Sequence, residues 1–285
     1  MTTYLAGSTS ADQQIDAAEL CTRVDEVLDS VLTGKAEADV LRRFLATESD
    51  RPYATLCYWS WHGMGGRPAN SADVLRVASG LELLRIFAAL PEEPTAELCL
   101  VWSEELLRDC PLPLPISQVH ALRSSLIADR LRHTTEAQRP EHSLEAALRG
   151  TRRRATELLL EQPILLGGQL AGADPALLGG LLDFSVPISE AYQLGRDLRA
   201  LLDDRPPAHA TVALALATER SAEPVPADIP DFLRSTGALR SVQFMMLRRI
   251  RHARRALIQA AIGEPALSGL LNVVSVSTGK GGGRG

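Results

Sequence analysis

The chain has 285 residues, a formal charge of −5, and 45% hydrophobic and 23% charged residues, the proportions of a globular protein with a substantial core. An isoelectric point near 5.7 argues against a general nucleic-acid partner, which needs a net basic surface. No apolar run approaches the ~20 residues that span a bilayer, and the polar start, Met1 to Gln14, lacks the pattern of a secretory signal.

Apolar residues recur at helical spacing almost throughout, and alternation of period two is nearly absent. The first helix is expected over Asp16 to Leu32, with Leu20, Val24, Val27, Leu28 and Val31 on one face and Gly34 as its stop. A short helix follows at Ala36 to Phe44, then an aromatic-rich one at Tyr53 to Met64. Ser71 and Asp73 open an amphipathic helix through Phe87, which Pro91 and Pro94 end. Further helices are expected over Ala96–Arg108, Ile116–His133, Ser143–Leu170, Pro175–Leu202 with a bend near Pro187, Ala210–Ser221, Leu239–Gly263 and Pro265–Val274. The pattern predicts an all-α protein in a single helical domain over residues 16–274. A polar arm at 1–15 and a flexible Gly-rich tail at 275–285 flank it.

Generic sites are missing. The four cysteines (Cys21, Cys57, Cys99, Cys110) have no C-x-x-C spacing, so a reduced, cytoplasmic chain is expected, without a zinc site or disulfides. The six histidines show no H-E-x-x-H spacing, and no G-x-S-x-G, Walker or dinucleotide motif is present. Trp59, Trp61 and Trp102 are expected in the core. Arg248-Arg-Ile-Arg251 with Arg254-Arg255 forms a basic helix face, open to phosphate, to an acidic partner or simply to solvent.

Five segments, in order, resemble the trans-polyprenyl (isoprenyl diphosphate) synthase family. Arg51 to Gly66 is similar to the stretch after the family's G-G-K-R-x-R-P. Val77-Ala-Ser-Gly-Leu-Glu-Leu-Leu-Arg85 is similar to the A-x-x-L-E-L-L-H that leads into a first D-D-x-x-D. Leu100 to Leu107 resembles the helix after that motif. Gln162 to Asp174 and Ile188 to Asp197 resemble later segments, the last of them A-F-Q-L-x-D-D. The resemblance implies a single bundle of long helices around a central cavity, with two aspartate-rich motifs facing across its mouth. In that family Mg²⁺ ions held by carboxylates neutralise a leaving diphosphate, and a separate cationic pocket grips the diphosphate of the second substrate.

The expected site residues follow from that resemblance. Glu92 and Glu93 stand at the first two aspartates of the first motif, and Ala96 at its last. In the second motif only Asp197 survives, since Arg196 and Ala200 replace the other two aspartates. Glu92, Glu93 and Asp197 are therefore the candidate metal ligands, and a solvated acidic turn with a structural ion pair is the alternative. Arg51, Arg85, Arg154 and Gln193 match diphosphate-binding positions, Arg85 standing where the family has a His. Two loops at the cavity mouth, after Glu93 and after Asp204, are shorter than in the family.

Besides a lipid- or prenyl-binding module that retains only the apolar cavity, two functions are compatible with this pattern. One is an isoprenoid-related homologue that has lost chain elongation and binds prenyl diphosphate or pairs with an active synthase, as a homodimer or heterodimer. The other is a divergent prenyltransferase or class I terpene synthase-like enzyme with a reduced metal site. No cofactor is required by the first, Mg²⁺ by the second, and no residue is assigned a catalytic role.

Overall fold

The Asp16 carboxylate accepts a hydrogen bond from the Glu19 amide and opens α1, Ala17–Leu32. The chain leaves that helix through Gly34, whose φ of +77° places it in the left-handed region where a side chain would be strained. The computed structural model describes residues 15–48, 51–90, 93–108, 110–135, 143–157, 160–203, 207, 209–221 and 225–278. After α1 come α2 (Asp39–Thr47), α3 (Pro52–Gly63), α4 (Ser71–Ala89), α5 (Leu98–Arg108), α6 (Ile116–Thr135) and α7 (Leu144–Glu157). Then follow α8 (Glu161–Leu170), α9 (Pro175–Leu202), α10 (Val212–Ser221), α11 (Ile229–Ser235), α12 (Ala238–Gln259) and α13 (Ala266–Thr278). Among the described residues there is no strand.

Some elements differ from the sequence reading. The stretch expected as one helix from Ser143 to Leu170 is two, α7 and α8. The short helix α11 was not anticipated; the Asp228 side chain caps it by accepting from the Asp231 amide. The helix expected over Ala96–Arg108 begins as a 3₁₀ turn, Pro94–Glu97, which tolerates Pro at its start, and continues as α5. α13 runs to Thr278, into the segment expected as a flexible tail. α9, by contrast, has the expected bounds, Pro175–Leu202, with Pro187 buried inside it.

α3 and α4 form the centre of the bundle. Every residue from Pro52 to Trp61 is buried, as are the residues of α4 from Val74 to Phe87 apart from Arg76. The amphipathic helix expected at α4 is thus covered on all sides, which is where a helix apolar around its circumference belongs. α3 packs on α4, α8 and α13; α4 also packs on α1 and α5; α9 lies along α12 and touches α7, α8 and α13. Trp59, Trp61 and Trp102 are buried as expected.

Close helix contacts depend on small residues. A Cβ at Gly269 in α13 would sit 2.3 Å from the Trp59 ring, and one at Gly167 in α8 only 2.1 Å from the Cys57 carbonyl oxygen of α3. A backbone oxygen cannot rotate away. Gly167→Ala is therefore expected to push α8 off α3 and destabilise the protein by about 1–3 kcal/mol. Gly179→Ala is the control: it meets nothing within 4 Å in α9 and should be neutral or stabilising by up to about 1 kcal/mol. Denaturant titration of both variants checks the contrast.

Candidate functional site

Two polar clusters lie inside this apolar bundle, and they contain most of the residues the sequence singled out. The first begins with an uncapped helix. Arg51, at the N-cap position of α3, makes no side-chain capping bond, and Pro52 has no N–H to offer. The orphan donors of Tyr53 and Ala54 are met from another helix: both donate to Glu82 Oε2 of α4, at 3.0 and 3.2 Å. Glu82 is fully buried, and its negative charge sits at the positive end of the α3 dipole.

The other oxygen of Glu82 accepts from Arg85 Nε one turn along α4. Arg85 Nη2 lies 3.0 Å from Glu48 Oε2 at the end of α2, and the guanidinium sits 5.6 Å from the centre of the Phe44 ring. Burial works against the charge of Arg85, but Glu82 and Glu48 outweigh it and hold its pKa above the ordinary value. Tyr53 and Tyr192, from α3 and α9, lie within electrostatic reach of Arg85. Burial pushes the Tyr53 phenol above its usual range.

Arg51 is buried beside this cluster and serves α2. Its Nη1 and Nη2 donate to the Glu48 and Leu45 carbonyls at 2.6 and 3.1 Å, and its Nε to Asp25 Oδ1 of α1 at 2.7 Å. A cation on the last carbonyls of a helix is a favourable C-terminal arrangement. Arg51, Glu48, Arg85 and Glu82 thus tie α1, α2, α3 and α4 together.

The second cluster is centred on Asp197 of α9, which is buried. Gln193, one turn earlier, donates to Asp197 Oδ1 at 2.6 Å. His209 Nε2, from the segment before α10, is 3.1 Å from the same oxygen. Arg154 of α7 places Nη2 3.5 Å from Asp197 Oδ2 and the same distance from the Ala210 carbonyl. The four residues expected to hold diphosphate therefore fall into two pairs. Arg51 and Arg85 meet at Glu48; Arg154 and Gln193 meet at Asp197. Each of the three arginines has a carboxylate partner within the chain.

Of the candidate metal ligands, Glu92 lies outside the described residues. Glu93 Oε1 accepts from its own neighbour Thr95, through the amide at 3.2 Å and the hydroxyl at 2.8 Å, and so caps the 3₁₀ turn. Asp197 is occupied as described. Mg²⁺ requires several oxygen ligands in octahedral geometry. Among the described residues no three His, Cys, Asp or Glu side chains converge to hold an ion, and the carboxylate oxygen of Asp197 faces cationic and amide donors instead. The described residues do not fit a Mg²⁺ cluster.

The four cysteines are free thiols. Burial pushes Cys57 and Cys99 up to about 12, so neither is a nucleophile near neutral pH.

No protein-family model and no curated protein matches the sequence. Solved structures do match. A geranylgeranyl pyrophosphate synthase from Corynebacterium glutamicum, complexed with isoprenyl diphosphate and magnesium, superposes with a TM-score of 0.67 at 21% identity, over 93% of this chain and 99% of that one. A geranylgeranyl pyrophosphate synthetase from the archaeon Geoglobus acetivorans gives 0.68 at 14% identity, over 93% and 99%. A decaprenyl diphosphate synthase from Rhodobacter capsulatus gives 0.62 at 14% identity, over 91% and 95%.

The chain has the isoprenoid synthase fold. Within it, the sequence reading had passed over three partners that organise the clusters: Glu82, Glu48 and His209. Glu82 carried a usable signal, because Glu and Arg three residues apart in an otherwise apolar helix imply a buried pair. His209 carried none, since it lies twelve residues beyond Asp197, past the end of α9.

Proposed function

We propose that this protein with the isoprenoid synthase fold has given up chain elongation and acts in isoprenoid metabolism as the non-elongating partner of an active polyprenyl synthase. The observation that carries the reading is the closure of Asp197 by Arg154, His209 and Gln193. By resemblance Asp197 is the one aspartate left of the second metal motif, and its oxygens are turned toward in-chain donors. A prenyl diphosphate would also have to compete with Glu82 and Glu48 for Arg85, and with Asp197 for Arg154.

A face suited to a partner supports the second half of the reading. α5 and α6 border a groove of about 370 Å³ lined by Leu100, Val101 and Ile127 together with Glu104, Arg108 and Arg123, of which Arg123 and Glu104 form an ion pair. Val101, Ile127 and, one turn further along α6, Leu131 are 54%, 40% and 64% exposed. Large apolar side chains exposed beside a groove rimmed with charge suit a contact surface.

The test mixes the chain with an active polyprenyl synthase of the same organism. Light scattering should show a heteromer, and the rate or product length of the synthase should change. Val101→Asp with Ile127→Asp should abolish both effects. Product made by the isolated chain would favour the divergent prenyltransferase instead, with Glu92, Glu93 and Asp197 as its reduced metal site.

A further inference from the structure

α12 carries six arginines and no acidic residue, in a chain of net charge −5. Its two faces differ sharply. Inward, Val242, Met246, Ala253 and Leu257 are buried, and Arg249 reaches back to Glu190 of α9. Outward, Arg240, Arg248, Arg251 and Arg255 are exposed, and among the described residues no carboxylate pairs with any of them. At 100° per residue these four fall on one stripe.

Three large apolar side chains share that stripe. Phe244, Leu247 and Ile258 are 55%, 52% and 54% exposed. From Arg240 to Ile258 the ridge is roughly 27 Å long at 1.5 Å per residue. Solvation explains the arginines but not the interleaved Phe, Leu and Ile, each of which leaves about half its surface in water.

We infer that the outer face of α12 docks on an anionic lipid bilayer, with Arg240, Arg248, Arg251 and Arg255 on lipid phosphates and Phe244, Leu247 and Ile258 inserted between headgroups. Guanidinium is a bidentate phosphate ligand, and short apolar side chains beside it reach the acyl boundary. A planar surface covers the whole ridge at once, and its negative potential complements a stripe without carboxylates. This inference is independent of the partner role proposed above, since it uses neither the Asp197 cluster nor the α5–α6 groove.

Cosedimentation of the full chain with sucrose-loaded vesicles tests it. Binding is expected to phosphatidylglycerol-containing vesicles, not to pure phosphatidylcholine, and should be lost at about 0.5 M salt. Arg248→Gln/Arg251→Gln/Arg255→Gln should lower the partition coefficient at least about tenfold. Phe244→Ser/Leu247→Ser should also weaken binding. Both variants should keep the unmodified melting temperature, because all five side chains are exposed. No binding, equal binding to neutral vesicles, or variants that bind normally would overturn the inference. So would binding to polyglutamate but not to vesicles, which would assign the face to an acidic protein.

Discussion

Glu82→Ala is expected to destabilise the protein by about 3–5 kcal/mol, the range for removing one partner of a buried ion pair. The carboxylate is fully buried and serves three donors, the amides of Tyr53 and Ala54 and Arg85 Nε. Its loss uncaps α3, the helix buried on every side from Pro52 to Trp61, and leaves Arg85 paired with Glu48. A melting-temperature fall of roughly 5–15 °C should accompany the loss. Glu82→Leu combined with Arg85→Met should recover part of it, because an apolar pair replaces the ionic one. Recovery should stay incomplete, since the Tyr53 and Ala54 amides still lack an acceptor. Guanidinium titrations of the single and double variants measure the difference. A loss below about 1 kcal/mol for Glu82→Ala would mean that solvent or other groups already satisfy those donors.

The all-α architecture was legible because a 3.6-residue period is a local property, written in neighbours such as Leu20, Val24 and Leu28. Helix starts were only partly legible: α4 does begin at Ser71 as expected, but its N-cap is Asn70, which makes no side-chain capping bond. What the local pattern could not carry was the pairing of charges across helices. Arg51, Arg85 and Arg154 read as cations awaiting an anion, whereas Asp25, Glu48 and Asp197 reach them from α1, the end of α2 and α9. Such pairs are set by tertiary packing and leave no fixed spacing in the sequence. The break between α7 and α8 was hidden for a related reason. The apolar period runs on across it, with no Gly or Pro between Thr151 and Gln162 to mark the stop.

The second large effect concerns chemistry. Isoprenoid chain elongation needs Mg²⁺ on converging carboxylates to stabilise the departing diphosphate. Here Ala96 and Ala200 offer no ligand, Arg196 is an exposed cation, and Asp197 is held by Arg154, His209 and Gln193. Arg196→Asp would add one exposed carboxylate while leaving Asp197 bridged, so it should not restore a metal cluster. The most direct measurement is Mg²⁺-dependent condensation of an allylic diphosphate with isopentenyl diphosphate by the isolated chain, unmodified and as Arg196→Asp. Both should run at least about 1000-fold below an intact synthase, in line with the loss of the main electrostatic stabilisation of the transition state. Robust elongation by the unmodified chain would contradict the closed site and establish an active enzyme.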